Sequence, residues 1–207
     1  MPTPGILPVD ALLLLDYVGN GVFAISGALL AAEKKQTLVT FIFFAGVTGV
    51  GGGTVRDLLI GAPVFWVHTN STLLICIAAA VLVWFLSRGL NADKALLWFD
   101  AIGLAAYSTY GAAKALNYGV APVPAFAMGV MTACVGGIIR DVLAGEPSIL
   151  MRPELYVTAA ALASGLFVAL TLFGAPATLA ALVAGLAGFS LRGAAITRGL
   201  SLPAYDR

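Results

Sequence analysis

Charge is what this sequence has least of. Aspartate, glutamate, lysine and arginine make up 10% of its 207 residues, against about 25% in soluble domains. With 60% apolar residues and a mean hydropathy of +1.00, a single aqueous core could not hide the apolar surface, so the solvent is lipid. A formal net charge of +1 excludes the footprint of a nucleic-acid binder or of an enzyme for acidic substrates. Histidine occurs once, as His68 beside Trp66, where a solvated interfacial residue is expected. The two cysteines, Cys76 and Cys134, lie in apolar runs without metal spacing and read as buried free thiols. No Ser/His/Asp constellation, zinc motif or Walker loop is present, so neither an enzyme nor a cofactor is expected.

What is present is apolar sequence in lengths that cross a bilayer, about 20 residues each. The expected spans are Ala11–Ala32, Thr37–Ile60, Phe65–Leu86, Ala95–Leu116, Val120–Ala144, Leu155–Phe173 and Ala175–Leu191. The first reads as a transmembrane helix rather than a signal peptide, because no basic segment precedes it. Lys34, Lys35, Arg88, Lys94, Arg152, Arg192, Arg198 and Arg207 fall in the loops after spans one, three and five or in the C-terminal tail. The other loops carry none, which puts the N-terminus outside and the C-terminus inside.

Against that background, GGGTVRDLLIGAP (51–63) is anomalous, and it recurs 84 positions later as VGGIIRDVLAGEP (135–147). Gly52, Gly53, Arg56, Asp57, Gly61 and Pro63 fall on Gly136, Gly137, Arg140, Asp141, Gly145 and Pro147. The same offset carries Asp16 onto Asp100, Gly19 onto Gly103, Gly27 onto Gly111 and Thr48 onto Thr132. Three spans per copy make the second copy enter from the opposite side. The expected fold is an all-α integral membrane protein of seven helices, an inverted 3+3 repeat plus one. It forms a single transmembrane domain over 1–207, with repeat one about 11–86, repeat two about 95–173 and the seventh helix about 175–191.

Gly51, Gly52 and Gly53, with Gly136 and Gly137, are expected to break or kink spans two and five beside a polar cavity; close helix packing is the alternative. At about 1.5 Å per residue, Asp16 lies about 8 Å, and Arg56 about 6 Å, below one surface. Asp100 and Arg140 repeat this at the other surface. Neighbours on a helix do not face each other, so Asp16 is expected near Arg56 and Asp100 near Arg140, rather than Arg56 on Asp57 or Arg140 on Asp141. These arginines either line or gate a pathway, or brace the repeats. Asn20 and Ser26 join Asp16 on or beside the polar face of span one, as Tyr107 joins Asp100 in span four. Lys114 falls opposite Leu30 in the repeat; an unpaired lysine there either snorkels to the interface or lines the pathway.

The doubled Gly-Gly-x-x-Arg-Asp motif and the seven spans resemble the prokaryotic branch of the trimeric intracellular cation (TRIC) channel family, from about Leu12 to Leu191. The resemblance implies a homotrimer in the plasma (inner) membrane, each subunit holding its own pore for K⁺ and Na⁺ between the repeats. It places Gly51–Gly53 with Arg56, and Gly136–Gly137 with Arg140, near that pore. The short tail after Leu191 lacks the long basic extension of animal members. Related bacterial sequences carry a glycine-transporter label, and a secondary transporter of a small zwitterion is the alternative function. A bound phospholipid on the arginines is a third reading.

Overall fold

The computed structural model describes residues 9–89, 91–151 and 153–203, with side chains from Leu13 onward. They form seven α-helices: α1 (Val9–Glu33), α2 (Leu38–Leu59), α3 (Asn70–Leu86), α4 (Ala92–Asn117), α5 (Pro122–Leu143), α6 (Val157–Leu172) and α7 (Ala177–Arg198). By length and apolar composition four of them, α1, α2, α5 and α7, suffice to cross a membrane; α3 and α6 are apolar but shorter. Thr37 caps α2 by accepting from the Thr40 N–H, Asn91 caps α4 by accepting from Lys94, and Pro122 opens α5. Both copies of the motif end alike. Gly61 (φ 68°) and Gly145 (φ 70°) turn left-handed, which lets the amides of Ala62 and Glu146 bond back to the carbonyls of Asp57 and Asp141.

α1 and α4 lie at the centre of the bundle. α1 packs on α2, α3 and α4; α4 packs on α1, α5, α6 and α7. The buried surface is made of small residues such as Ala24, Ala28, Ala112, Ala113, Ala159 and Ala160, whereas Val39, Phe85, Val123 and Phe173 point outward. This is the distribution expected where lipid is as apolar as leucine and helices associate by close packing.

The glycine-rich segments show that packing directly. Contrary to the expected break, α2 and α5 each run as uninterrupted helix through their glycines. A Cβ on Gly52 would lie 2.1 Å from the Thr132 carbonyl oxygen, and one on Gly136 2.5 Å from that of Thr48. Gly52 and Gly136 are where two helix backbones touch, the alternative reading, whereas Gly53 and Gly137 leave room for the Phe65 ring and the Tyr156 hydroxyl. Contacts pairing 52 with 132 and 48 with 136 require an antiparallel crossing, centred near residues 50 and 134. Arg56 and Arg140 therefore lie on opposite sides of it, about 18 Å apart along the axis at 1.5 Å per residue. α1 and α4 cross in the same reciprocal way: Gly19 receives the Tyr107 ring and Gly103 the Phe23 ring.

Candidate functional site: two buried arginine–aspartate clusters

Each copy of the motif builds one local device. Asp57 Oδ1 accepts from Arg56 Nε at 2.9 Å and lies 2.7 Å from Nη2, while Oδ2 accepts the backbone N–H of Phe65 at 3.1 Å. In α5, Asp141 Oδ1 lies 2.9 Å from both Nε and Nη2 of Arg140, and Oδ2 accepts the Ile149 N–H at 3.0 Å. The expectation that adjacent residues would not pair is thus overturned. The two side chains leave the helix about 100° apart, but the long arginine stem folds back, and at 0–1% exposure no water competes for Arg56 or Arg140. The same capture explains a boundary. The expected third span began at Phe65, yet α3 starts at Asn70, because the Phe65 amide is held by Asp57 and the Trp66 indole donates to Thr54 Oγ1.

Beyond this unit the two ends differ. Arg140 Nη1 reaches Asp100 Oδ1 at 2.8 Å and Ser26 Oγ at 3.0 Å, so the expected Asp100–Arg140 pair is formed. Asp16 forms no ion pair with Arg56. The Tyr107 hydroxyl, 3.2 Å from the Asp16 carbonyl and 3.3 Å from Oδ1, donates to it, and Arg56 acts on it only through space. The Arg56 guanidinium lies instead over the Tyr110 ring, 4.8 Å from its centroid. Lys114 is not unpaired: its Nζ is 2.9 Å from Asp57 Oδ1, 3.0 Å from Oδ2, and over the Phe65 ring. One end therefore holds Arg56, Lys114, Asp16 and Asp57 in balance. The other holds Arg140 against Asp100 and Asp141, an excess of one negative charge, and Leu30 replaces the lysine.

A cavity of about 280 Å³ opens at the Arg140 end, lined by Leu30, Glu33, Asp93, Arg140, Asp141 and Glu146 among others. Glu146 pairs with Lys34 from the loop after α1, and that hydrogen bond raises the Lys34 ammonium above its usual range. The remaining sequence candidates are committed within the bundle. Asn20 donates to the Thr72 carbonyl at 3.1 Å. Thr48 and Thr132 hydroxyls each donate at 2.6 Å to carbonyls of their own helices, Phe44 and Met128. His68 is exposed, as expected, and Cys76 and Cys134 are buried free thiols.

Three residues escaped the sequence reading. Arg192 was counted in the tail, but α7 continues to Arg198 and buries it to 1% exposure. Its guanidinium sits 5.3 Å from the Tyr156 ring centroid and 2.8 Å from Glu154 Oε2. The available signal was the apolar pattern resuming after Arg192 in Gly-Ala-Ala-Ile. Arg152, counted in the loop after span five, and Arg207, counted in the tail, lie outside the described residues.

The sequence model of the family described as Glycine transporter matches twice, over residues 13–88 and 97–172. A UPF0126 membrane protein of Vibrio cholerae is 39% identical over 206 residues, covering 96% of this chain and 84% of that one. The UPF0126 inner membrane protein YadS of Escherichia coli K12 is 37% identical, covering 92% and 94%. Among solved structures, the TRIC trimeric intracellular cation channel orthologue from Rhodobacter sphaeroides superimposes with a TM-score of 0.89 at 44% identity, over 92% of this chain and 100% of that one. The chain is a multi-pass inner-membrane protein with the TRIC channel fold. It belongs to the family described as Glycine transporter, together with the UPF0126 inner membrane proteins and the prokaryotic TRIC channels.

Proposed function

We propose that this protein is a monovalent cation channel, passing K⁺ and Na⁺ through one pore per subunit between two inverted repeats, and that it works as a homotrimer with its N-terminus outside. The observation that carries the reading is the pair of buried Arg–Asp clusters on opposite sides of an antiparallel α2–α5 crossing, with an acidic cavity leading to one of them. Glu33, Asp93 and Glu146 concentrate cations at that mouth, and carboxylates beside Arg56 and Arg140 offset the repulsion the arginines exert. We read this conformation as closed, since Arg56 and Arg140 are buried and Gly52 and Gly136 bring the two helix backbones together. Opening requires the Arg–Asp clusters to loosen and the crossing to part.

Single-channel recording in a planar bilayer under a KCl gradient tests this, with Asp16→Asn and Arg56→Ala recorded alongside. Unitary steps reversing near the K⁺ potential and altered by the substitutions are expected. A silent bilayer from well-folded protein would refute the channel. The second reading, transport of a small zwitterion, is favoured by the family's description and by a cavity that offers a guanidinium beside carboxylates. Saturable uptake of radiolabelled glycine by vesicles that carry no unitary current would establish it. Co-purification of phospholipid lost on removing either arginine would add the lipid reading.

A further inference from the structure

We infer that Arg192, acting with Glu154 through Tyr156, positions the Arg140–Asp100 pair, so that one end of the pathway is held by the helix outside the repeat. This rests on the reading of Arg140 as a closing element. Three polar groups converge on the space left by the missing side chain of Gly137. A Cβ there would lie 3.0 Å from the Tyr156 hydroxyl, 3.5 Å from Asp100 Oδ1 and 3.6 Å from Arg140 Nη2. Tyr156 is 1% exposed, and its ring face is covered by the Arg192 guanidinium. Arg192 is fastened in turn by Glu154.

The backbone reinforces this arrangement. Ser201 bridges to Glu154 in antiparallel fashion, and the Leu202 N–H donates to the Pro153 carbonyl at 2.7 Å. The segment after α7 is thereby zipped to the stretch that carries Glu154 and Tyr156. Arg192 Nε, Nη1 and Nη2 and the Tyr156 hydroxyl have no hydrogen bond among the described residues, so Arg192 is held by charge attraction to Glu154 and by the Tyr156 ring. A buried guanidinium so incompletely paired stabilises less than an apolar residue of its volume would, so what it contributes is the placement of Tyr156.

Among the described residues, nothing equivalent stands at the other end. The repeat places Thr72 at the position of Tyr156, and the space beside Gly53 is filled by the Phe65 ring. α7 thus makes the two ends unequal. Weakening its hold releases Arg140 and leaves Arg56, which Lys114 and Tyr110 surround, in place.

The test uses the full-length protein with Cys76→Ala and Cys134→Ala, and a single reporter cysteine at either end. Leu30→Cys reports on the Arg140 cavity and Ala62→Cys on the Arg56 end, both native residues being buried. The rate of modification by a cationic thiosulfonate is measured with Tyr156→Phe, Arg192→Met and Arg192→Lys. Tyr156→Phe and Arg192→Met should each speed the Leu30→Cys reaction by about tenfold, the shift that follows loss of one interaction with a charged group. Arg192→Lys, which keeps the charge on Glu154 and Tyr156, should stay near the parent rate, and Ala62→Cys should not change. The inference is overturned if neither variant speeds Leu30→Cys. It is also overturned if both reporters accelerate together, as general loosening would produce, or if Arg192→Lys matches Arg192→Met. Modification needs no current, so failure of the channel reading in the bilayer leaves this result readable on its own.

Discussion

Gly52→Ala isolates what the glycines do. The added methyl would sit 2.1 Å from the Thr132 carbonyl oxygen and 3.0 Å from its carbon. Ordinary contact begins near 3.4 Å, so the two helices must separate by about 1 Å or bend, and neither partner atom is a flexible side chain. Overpacking of this kind costs about 1–3 kcal/mol, and a backbone obstacle puts it at the upper end. Alanine's better helix propensity returns about 1 kcal/mol, which leaves a net loss of about 2 kcal/mol. Gly46 supplies the control: it lies in the same helix with nothing within 4 Å of its would-be Cβ. Gly46→Ala should therefore be neutral or stabilising by up to about 1 kcal/mol. Reversible unfolding of the purified protein in mixed micelles, following the loss of helix signal, measures both. If Gly52→Ala proves as stable as Gly46→Ala, the close α2–α5 crossing is not a feature of the folded protein.

The ion pairs make further predictions. Asp100→Asn should destabilise more than Asp16→Asn in the same assay, by about 2 kcal/mol, because only Asp100 is directly paired to a buried arginine; equal losses would contradict the unequal ends. Lys114→Met should cost about 2–3 kcal/mol by leaving Asp57 to Arg56 alone, and Asp57→Asn should cost less on that background than on its own, since one cation fewer loses its partner. An additive double variant would show that the two do not interact. At the rim, Glu146→Gln should return the Lys34 ammonium to its ordinary titration, visible by NMR of methylated lysines. Since pairing raises that group, its contribution is complete below the ordinary lysine pKa and is lost as pH rises through the raised value. The pair is exposed, so stability at neutral pH should barely change.

The doubled motif was legible because an 84-residue offset preserves residue identity, and the structure places its two copies in matching surroundings down to the amides of Phe65 and Ile149. Composition established lipid as the solvent and made charge rare enough that each buried arginine stood out. It did not show which partner each arginine would take. Equivalent residues share an offset, but contacts join non-equivalent ones. Asp100 meets Arg140 directly, whereas Asp16 meets Tyr107, because the partner of Tyr107 in the repeat, Phe23, carries no hydroxyl.

Lys114 escaped for a related reason. Read on its own helix it had no neighbour of opposite charge, and only the reach of its side chain across to the end of α2 brings Asp57 within 3 Å. Arg192 was misplaced because a single charge ended the hydropathy window, while the helix itself, once α7 lay against α4 and α6, had a buried ring and a carboxylate waiting there. The sequence alone determined the solvent, the repeat and the positions of the unusual charges, since these depend on composition and spacing along one chain. The tertiary structure alone decided that the glycines are contacts rather than breaks, which carboxylate each cation meets, and that the two ends differ, since those depend on how separate helices cross.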